Sequence, residues 1–186
     1  MGMPNKPGSV CAAWLWLVLL ATYGGVAFAQ SGPSAEYGVK AAFLLNFSRF
    51  VEWPPEGFAE PQDTMELCIL GKDPFGRILD DVVQGESVKS RRLIVRRFAQ
   101  APIAAGCRVV YVSPEVQNVK RLLSLLGPYV LTIGEGKTFL REGGMIAFVL
   151  ESGRVRFDIS QTTAENADLK ISSNLLQVAR SVAKQP

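Results

Sequence analysis

Of the three cysteines in this chain, only Cys68 and Cys107 lie beyond the N-terminal segment, and they are the residues best placed for covalent chemistry. Cys68 sits in Leu67-Cys68-Ile69-Leu70-Gly71, an apolar run closed by glycine and followed by Asp73-Pro74, the pattern of a buried strand feeding a helix. Cys107 opens Cys107-Arg108-Val109-Val110-Tyr111-Val112, a β-branched run ended by Ser113-Pro114. If the two runs are neighbouring strands, the sulfurs come within disulfide reach, provided that both side chains point the same way. The other reading is two unrelated buried thiols, a common place for free cysteine. Export of the chain would favour the bridge.

The rest of the chemistry is mostly excluded. The chain has no histidine, which removes Ser-His-Asp and Cys-His nucleophiles and histidine-ligated metals. Gly134-Glu135-Gly136-Lys137-Thr138 resembles the end of a phosphate loop, but the first glycine that such a loop needs falls on Leu131. Ser181 and Lys184 have the S-x-x-K spacing of penicillin-binding enzymes without any companion motif. Asp80 and Asp81, adjacent on a helix, point about 100° apart and do not form an acid and base pair. No catalytic residue, metal site or cofactor site is expected, and the chain is read as a non-enzyme.

Residues 1–29 carry one charge, Lys6, then an apolar run from Ala12 to Ala21 and Ala27-Phe28-Ala29 before Gln30. That is the form of a cleaved secretory signal, with cleavage between Ala29 and Gln30. The apolar run is shorter than the ~20 residues of a membrane-spanning helix. What remains, residues 30–186, has a length suited to a single domain with a real core. The whole chain has 20 basic and 17 acidic residues, a near balance that offers nothing for nucleic acid. Basic residues do gather from Lys89 to Arg97. They read as a strand with solvated ends or, alternatively, as a patch facing anionic lipid or an acidic partner.

These residues are positioned by elements with clear periodicity. A helix is expected from Glu36 to Val51, with Val39, Phe43, Phe47 and Phe50 as its apolar stripe, stopped by Pro54-Pro55. Trp53 at that stop is read as a packing residue. Strands are expected at Glu66–Leu70, Arg92–Phe98, Cys107–Val112 and Val130–Ile133, with helices at Pro74–Val83 and Glu115–Leu126 and a helical turn at Thr138–Arg141. Met145–Leu150 and Arg154–Ser160 flank Glu151-Ser152-Gly153 as an antiparallel hairpin. A last helix, from about Ser172 to Ala183 with Ser172 or Ser173 as cap, is marked by Ile171, Leu175, Val178 and Val182. The class is α/β: a three-layer sandwich with a mainly parallel sheet, ending in an antiparallel hairpin and a C-terminal helix.

The order of motifs is informative beyond any one of them. Tyr37-x-Val39-Lys40-Ala41-Ala42-Phe43-Leu44-x-Asn46-Phe47, Phe50-Val51-Glu52-Trp53-Pro54 and Leu67-Cys68-Ile69-Leu70-Gly71-x-Asp73-Pro74-Phe75-Gly76 resemble the opening of the YfiR family of periplasmic proteins. Gly106-Cys107, Gly143-Gly144-Met145-Ile146, Val155-Arg156-Phe157-Asp158-Ile159 and Leu169-Lys170-Ile171-Ser172-Ser173-x-Leu175-Leu176 continue the resemblance over essentially the whole exported chain. It implies an α/β sandwich acting as a periplasmic repressor of an inner-membrane diguanylate cyclase, captured in turn by an OmpA-like outer-membrane lipoprotein. It also implies a homodimer. The founding member has a second cysteine pair, where this chain has Glu142 and Val149.

Two function classes remain open. A regulator of a membrane signalling protein should show an exposed apolar patch; a small-ligand sensor should show a concave pocket with convergent polar groups. The segment from Ala164 to Ser173, which joins the hairpin to the last helix, is the expected partner surface, with Leu169 and Ile171 at its centre. The alternative is that both pack under the helix.

Overall fold

The computed structural model describes residues 1–3, 33–58, 64–101 and 106–183. The segment with the expected cleavage site at Ala29 and Gln30 lies outside them. All helices and strands among the described residues belong to the unit from Ser31 to Pro186. No helix among the described residues is long and apolar enough to cross a membrane.

Helix α1 spans Pro33–Phe50 and hands over directly to the two-residue strand β1, Val51–Glu52. Pro54 and Pro55 cannot continue a helix and instead start a single 3-10 turn at Pro55–Gly57. The buried side of α1 is Lys40, Ala41, Leu44, Leu45, Phe47 and Ser48. The expected stripe is therefore corrected: Phe47 is buried, but Val39 and Phe50 are exposed. Polar and apolar residues are mixed round the helix, with Lys40 and Ser48 themselves on the buried side, so periodicity alone does not choose its inner face.

Strand β2, Met65–Leu70, leads through Asp73, whose Oδ1 accepts from Phe75 N–H at 2.7 Å, into helix α2 at Arg77–Val83. Strands β3 (Ser87–Val88) and β4 (Arg91–Phe98) form a hairpin, and β5 is Cys107–Val112. Helix α3 is confined to Val119–Ser124 because Asn118, at φ 54°, blocks an earlier start. Strand β6 (Leu131–Glu135) and helix α4 (Gly136–Arg141) precede the hairpin β7 (Ile146–Glu151) and β8 (Arg154–Ser160). Helix α5 (Gln161–Glu165), strand β9 (Lys170–Ile171), helix α6 (Ser173–Val178) and strand β10 (Ser181–Ala183) are the remaining elements among the described residues.

The main sheet runs β10-β8-β7-β6-β5-β2-β4-β3. Only β7 with β8 and β3 with β4 are antiparallel within it. One apolar cluster, with Leu67, Ile69, Val109, Tyr111, Phe148 and Phe157, packs under α1 and α2. The other face carries Cys68, Leu70, Val110, Val112, Ala147 and Phe139, with the partly buried leucines of α3 around them. Successive strand residues thus feed opposite layers, giving the expected sandwich with helices on both faces. On that second face Phe139 lies so close to Gly134 and Gly144 that a Cβ at either would stand 2.4 or 2.1 Å from its ring.

The end of the chain departs from expectation. Ser172 is the cap, its hydroxyl accepting from Leu175 N–H, but the helix stops at Val178. Ala179 is extended, and Arg180 N–H donates to Phe157 O at 2.8 Å. The Arg180 guanidinium donates from Nε and Nη2 to the two carboxylate oxygens of the buried Asp158, drawing residues 181–183 onto the edge of β8 as a parallel strand. The last element among the described residues is a strand rather than the rest of a helix.

Candidate functional site

In sequence Lys40 is a lysine inside an apolar helical face, and the structure shows what holds it there. Lys40 is 2% exposed. Its Nζ lies 2.5 Å from Glu36 Oε1 and 2.8 Å from Glu135 Oε2, and 4.4 Å from the centre of the Tyr37 ring. Glu135, at the C-terminal end of β6, also accepts from Tyr37 OH at 3.2 Å and from Tyr111 OH of β5. Phe75 packs edge-on against both tyrosines. Every charge in the cluster is therefore answered inside the fold, as a buried charge must be.

The titration of the cluster reflects that geometry. Burial pulls the Lys40 ammonium down, but hydrogen bonds to Glu135 and Glu36 outweigh it and leave its pKa above the usual lysine value. Burial pushes the Tyr111 and Tyr37 hydroxyls up, and the Glu135 carboxylate pushes them further. Groups with raised folded-state values bind protons more tightly when folded, so their stabilisation is complete below the unfolded values near 10 and is lost as pH rises beyond them. Melting temperature is therefore expected to fall above about pH 10, and less steeply in Tyr111→Phe, which cannot ionise there. Identical alkaline slopes in melting curves of the two proteins would count against this role for Tyr111.

Two further networks absorb other charges. Arg97 donates to Asp73 at 2.6 Å, to both carboxylate oxygens of Asp80 at 3.0 and 2.9 Å, and to Gly76 O at 3.1 Å. Arg180 binds Asp158 and lies 3.5 Å from Glu151. The basic stretch from Lys89 to Arg97 is consequently much less available than its composition implies. Arg91 stacks 3.7 Å from the Phe58 ring centre, Arg96 faces Glu66 at 3.6 Å and Arg97 is held by its two aspartates. Trp53 packs as expected, donating from Nε1 to Tyr129 O at 2.9 Å.

Cys68 and Cys107 are joined in a disulfide with Cα atoms 5.8 Å apart. The β2–β5 register explains how. It shifts between Glu66 and Leu67, pairing Glu66 with Cys107 and Leu67 with Val109. Without this bulge, simple alternation would put Cys107 on the side of Val109, away from Cys68. Glu66 has a carboxylate oxygen within 4.8 Å of both sulfurs, but sulfurs bonded to each other are not metal ligands.

Leu169 and Ile171 are corrected. They are 2% and 6% exposed and belong to the main core cluster. Ile171 pairs with Val51, and Leu169 N–H donates to Ala164 O, so neither offers a surface. The pairing of β9 with β1 pulls this segment inward, an interaction of two-residue strands with no periodicity to announce it. Open apolar area lies elsewhere. Val39 (47% exposed) and Leu150 (58% exposed), with Phe43 and Val155, line a groove of about 470 Å³ between α1 and the β7–β8 hairpin.

The described residues thus form a disulfide-locked α/β sandwich whose buried charges are internally paired, with a largely apolar groove between α1 and the β7–β8 hairpin. The YfiR/HmsC-like family model matches residues 37–180, and the chain belongs to that family. No curated protein matches the chain. The family is one of periplasmic regulators of cyclic-di-GMP signalling, and the disulfide is consistent with an extracytoplasmic location.

Proposed function

We propose that this protein is a non-enzymatic periplasmic repressor that binds the periplasmic part of an inner-membrane diguanylate cyclase and restrains it. In this reading the protein works as a homodimer and is relieved by capture on an OmpA-like outer-membrane lipoprotein. The observation that carries the reading, beside the family, is the groove whose walls include Val39, Phe43, Leu150 and Val155, with Glu36 and Arg154 also in its lining. Contiguous open apolar area of this kind suits a protein partner. The paired clusters around Lys40, Arg97 and Arg180 support it further, since their charges are engaged in holding the fold.

Val39→Asp and Leu150→Asp test it, because both side chains are already exposed and their replacement should change stability by no more than about 0.5 kcal/mol. Each variant is expected to raise cellular cyclic-di-GMP towards the level of a deletion strain, with unchanged periplasmic abundance and melting. Cyclic-di-GMP that stays at the parental level in both would contradict the proposal.

One observation favours a second reading, a small-ligand sensor. Trp53, Phe58, Met65, Val88, Lys89 and Arg91 enclose a hollow of about 230 Å³, in which apolar walls meet two cationic side chains, a combination suited to a small anion with an apolar body. Calorimetric titration with aromatic carboxylates, compared in the parent and Arg91→Ala, decides whether that hollow binds.

A further inference from the structure

Among the described residues the sheet edge on the hairpin side is only half covered. Strand β10 pairs with Asp158, Ile159 and Ser160, and the Arg180 N–H takes the Phe157 carbonyl. Among the described residues, pairing on the outer side of β8 stops there. Since Phe157 directs its carbonyl outward, the two-residue alternation of an antiparallel strand directs the N–H and C=O of Val155 outward as well. Those groups border the groove of Val39, Phe43 and Leu150 on the α1 side of the sheet.

Alternation along β8 turns Arg156 to the opposite face, while Arg154, at the start of the strand, borders the groove together with Glu36; both arginines are exposed and form no ion pair among the described residues. The acids nearby are taken: Glu36 by Lys40, and Glu151 and Asp158 by Arg180. Among the described residues the edge thus combines outward backbone groups, a largely apolar groove with Glu36 and Arg154 at its rim, and two positive charges without an ion pair, Arg154 and Arg156.

We propose that this edge receives an extended segment of a partner protein in which apolar residues alternate with acidic ones. A strand laid beside Val155 pairs with its backbone, and its side chains must alternate between the two faces. Those on the groove face enter among Val39, Phe43 and Leu150, and the acidic ones between them meet Arg156 and, at the hairpin end of the groove, Arg154. A second copy of this chain is a poor occupant. Pairing about Val155 sets Arg154 of one copy opposite Arg156 of the other, and like charges directly opposite are unfavourable. A register moved towards Asp158 runs into β10. The inference rests on the reading of the protein as a partner-binding regulator, and it adds where the partner binds and by what chemistry.

The test uses a fluorescent ten-residue peptide of alternating leucine and glutamate, titrated into the purified protein by anisotropy. Controls are a leucine–lysine peptide and a peptide of the same leucine and glutamate content with the leucines contiguous. The alternating acidic peptide is expected to bind about tenfold tighter than either control. Arg154→Glu combined with Arg156→Glu, two exposed changes, should invert the preference in favour of lysine. Val155→Pro, lacking the outward N–H, should lose binding while the circular dichroism spectrum is kept. Equal affinities for the two charges, no binding at all, or an acidic preference that survives the double charge reversal overturns the proposal. So does preferential binding to phosphatidylglycerol vesicles, or dimerisation that the charge reversal abolishes. If the charge-reversed protein still represses cyclic-di-GMP in cells, the regulator reading stands and this edge is not its contact.

Discussion

Lys40→Met is expected to destabilise the protein by about 3 kcal/mol, the low end for breaking a buried ion pair from one side. The loss of attraction is the smaller part of that figure. With Lys40 gone, Glu135 keeps two tyrosine hydroxyls but loses the cation paired with it, and Glu36 loses that partner too. The side chain of Glu135 is 22% exposed, so water reaches part of its carboxylate and holds the cost below that of a fully enclosed anion.

The double variant Lys40→Met with Glu135→Gln should recover much of the loss, because an amide can accept from Tyr111 without carrying a charge into the core. The measurement is a double-mutant cycle by urea denaturation, with a coupling energy of about 1–3 kcal/mol expected. Additive effects of the two changes would mean that Lys40 stabilises the fold through its methylene stem alone. The cycle matters for the regulator because α1 supplies both Lys40 to the interior and Val39 to the groove. Whatever anchors Lys40 also fixes the rotation of the helix that presents Val39.

How far that arrangement was legible depends on the residue. Apolar runs bounded by glycine and proline place β2, β5 and the hairpin within a residue or two, since a strand buried on both faces must be apolar throughout. Tyr111 and Glu135 each look ordinary in sequence, and only the adjacency of β5 and β6 brings their side chains to one carboxylate. Lys40 was the available signal, a charge one helical turn before Leu44, which is fully buried. The inner face of α1 was misread because Val39, Phe43 and Phe50 are as apolar as the residues that are buried. Packing against β8 and α2 selects among them. Strands β1, β9 and β10 are two or three residues long and held by tertiary pairing, so no local pattern marks them. The burial of Leu169 and Ile171 results from that pairing, which moves the open apolar surface to the other end of α1.

Removing the bridge is the other large expected effect. Cys68→Ala with Cys107→Ala opens a cross-link between residues 39 apart in sequence, for which the loss of loop-closure constraint in the unfolded chain amounts to about 4 kcal/mol. Both cysteines are almost fully enclosed, at 0% and 1% exposure, so the alanines also leave a small void, which adds to the loss. Against a typical domain stability of about 5–15 kcal/mol, the reduced or substituted protein stands near the limit of folding at growth temperature. The single variants should fare worse in cells than the double, because each leaves one unpaired thiol able to form intermolecular disulfides during export. The check is twofold. Thiol labelling of the denatured, non-reduced protein should find no free cysteine at positions 68 and 107. Urea midpoints of the parent with and without reductant should differ by most of the expected energy, while the double alanine variant should show no dependence on reductant. A parental midpoint unmoved by complete reduction would mean that the bulge between Glu66 and Leu67 and the packing of β2 on β5 hold this part of the sheet unaided. In that case the bridge would only record the closeness of the two strands.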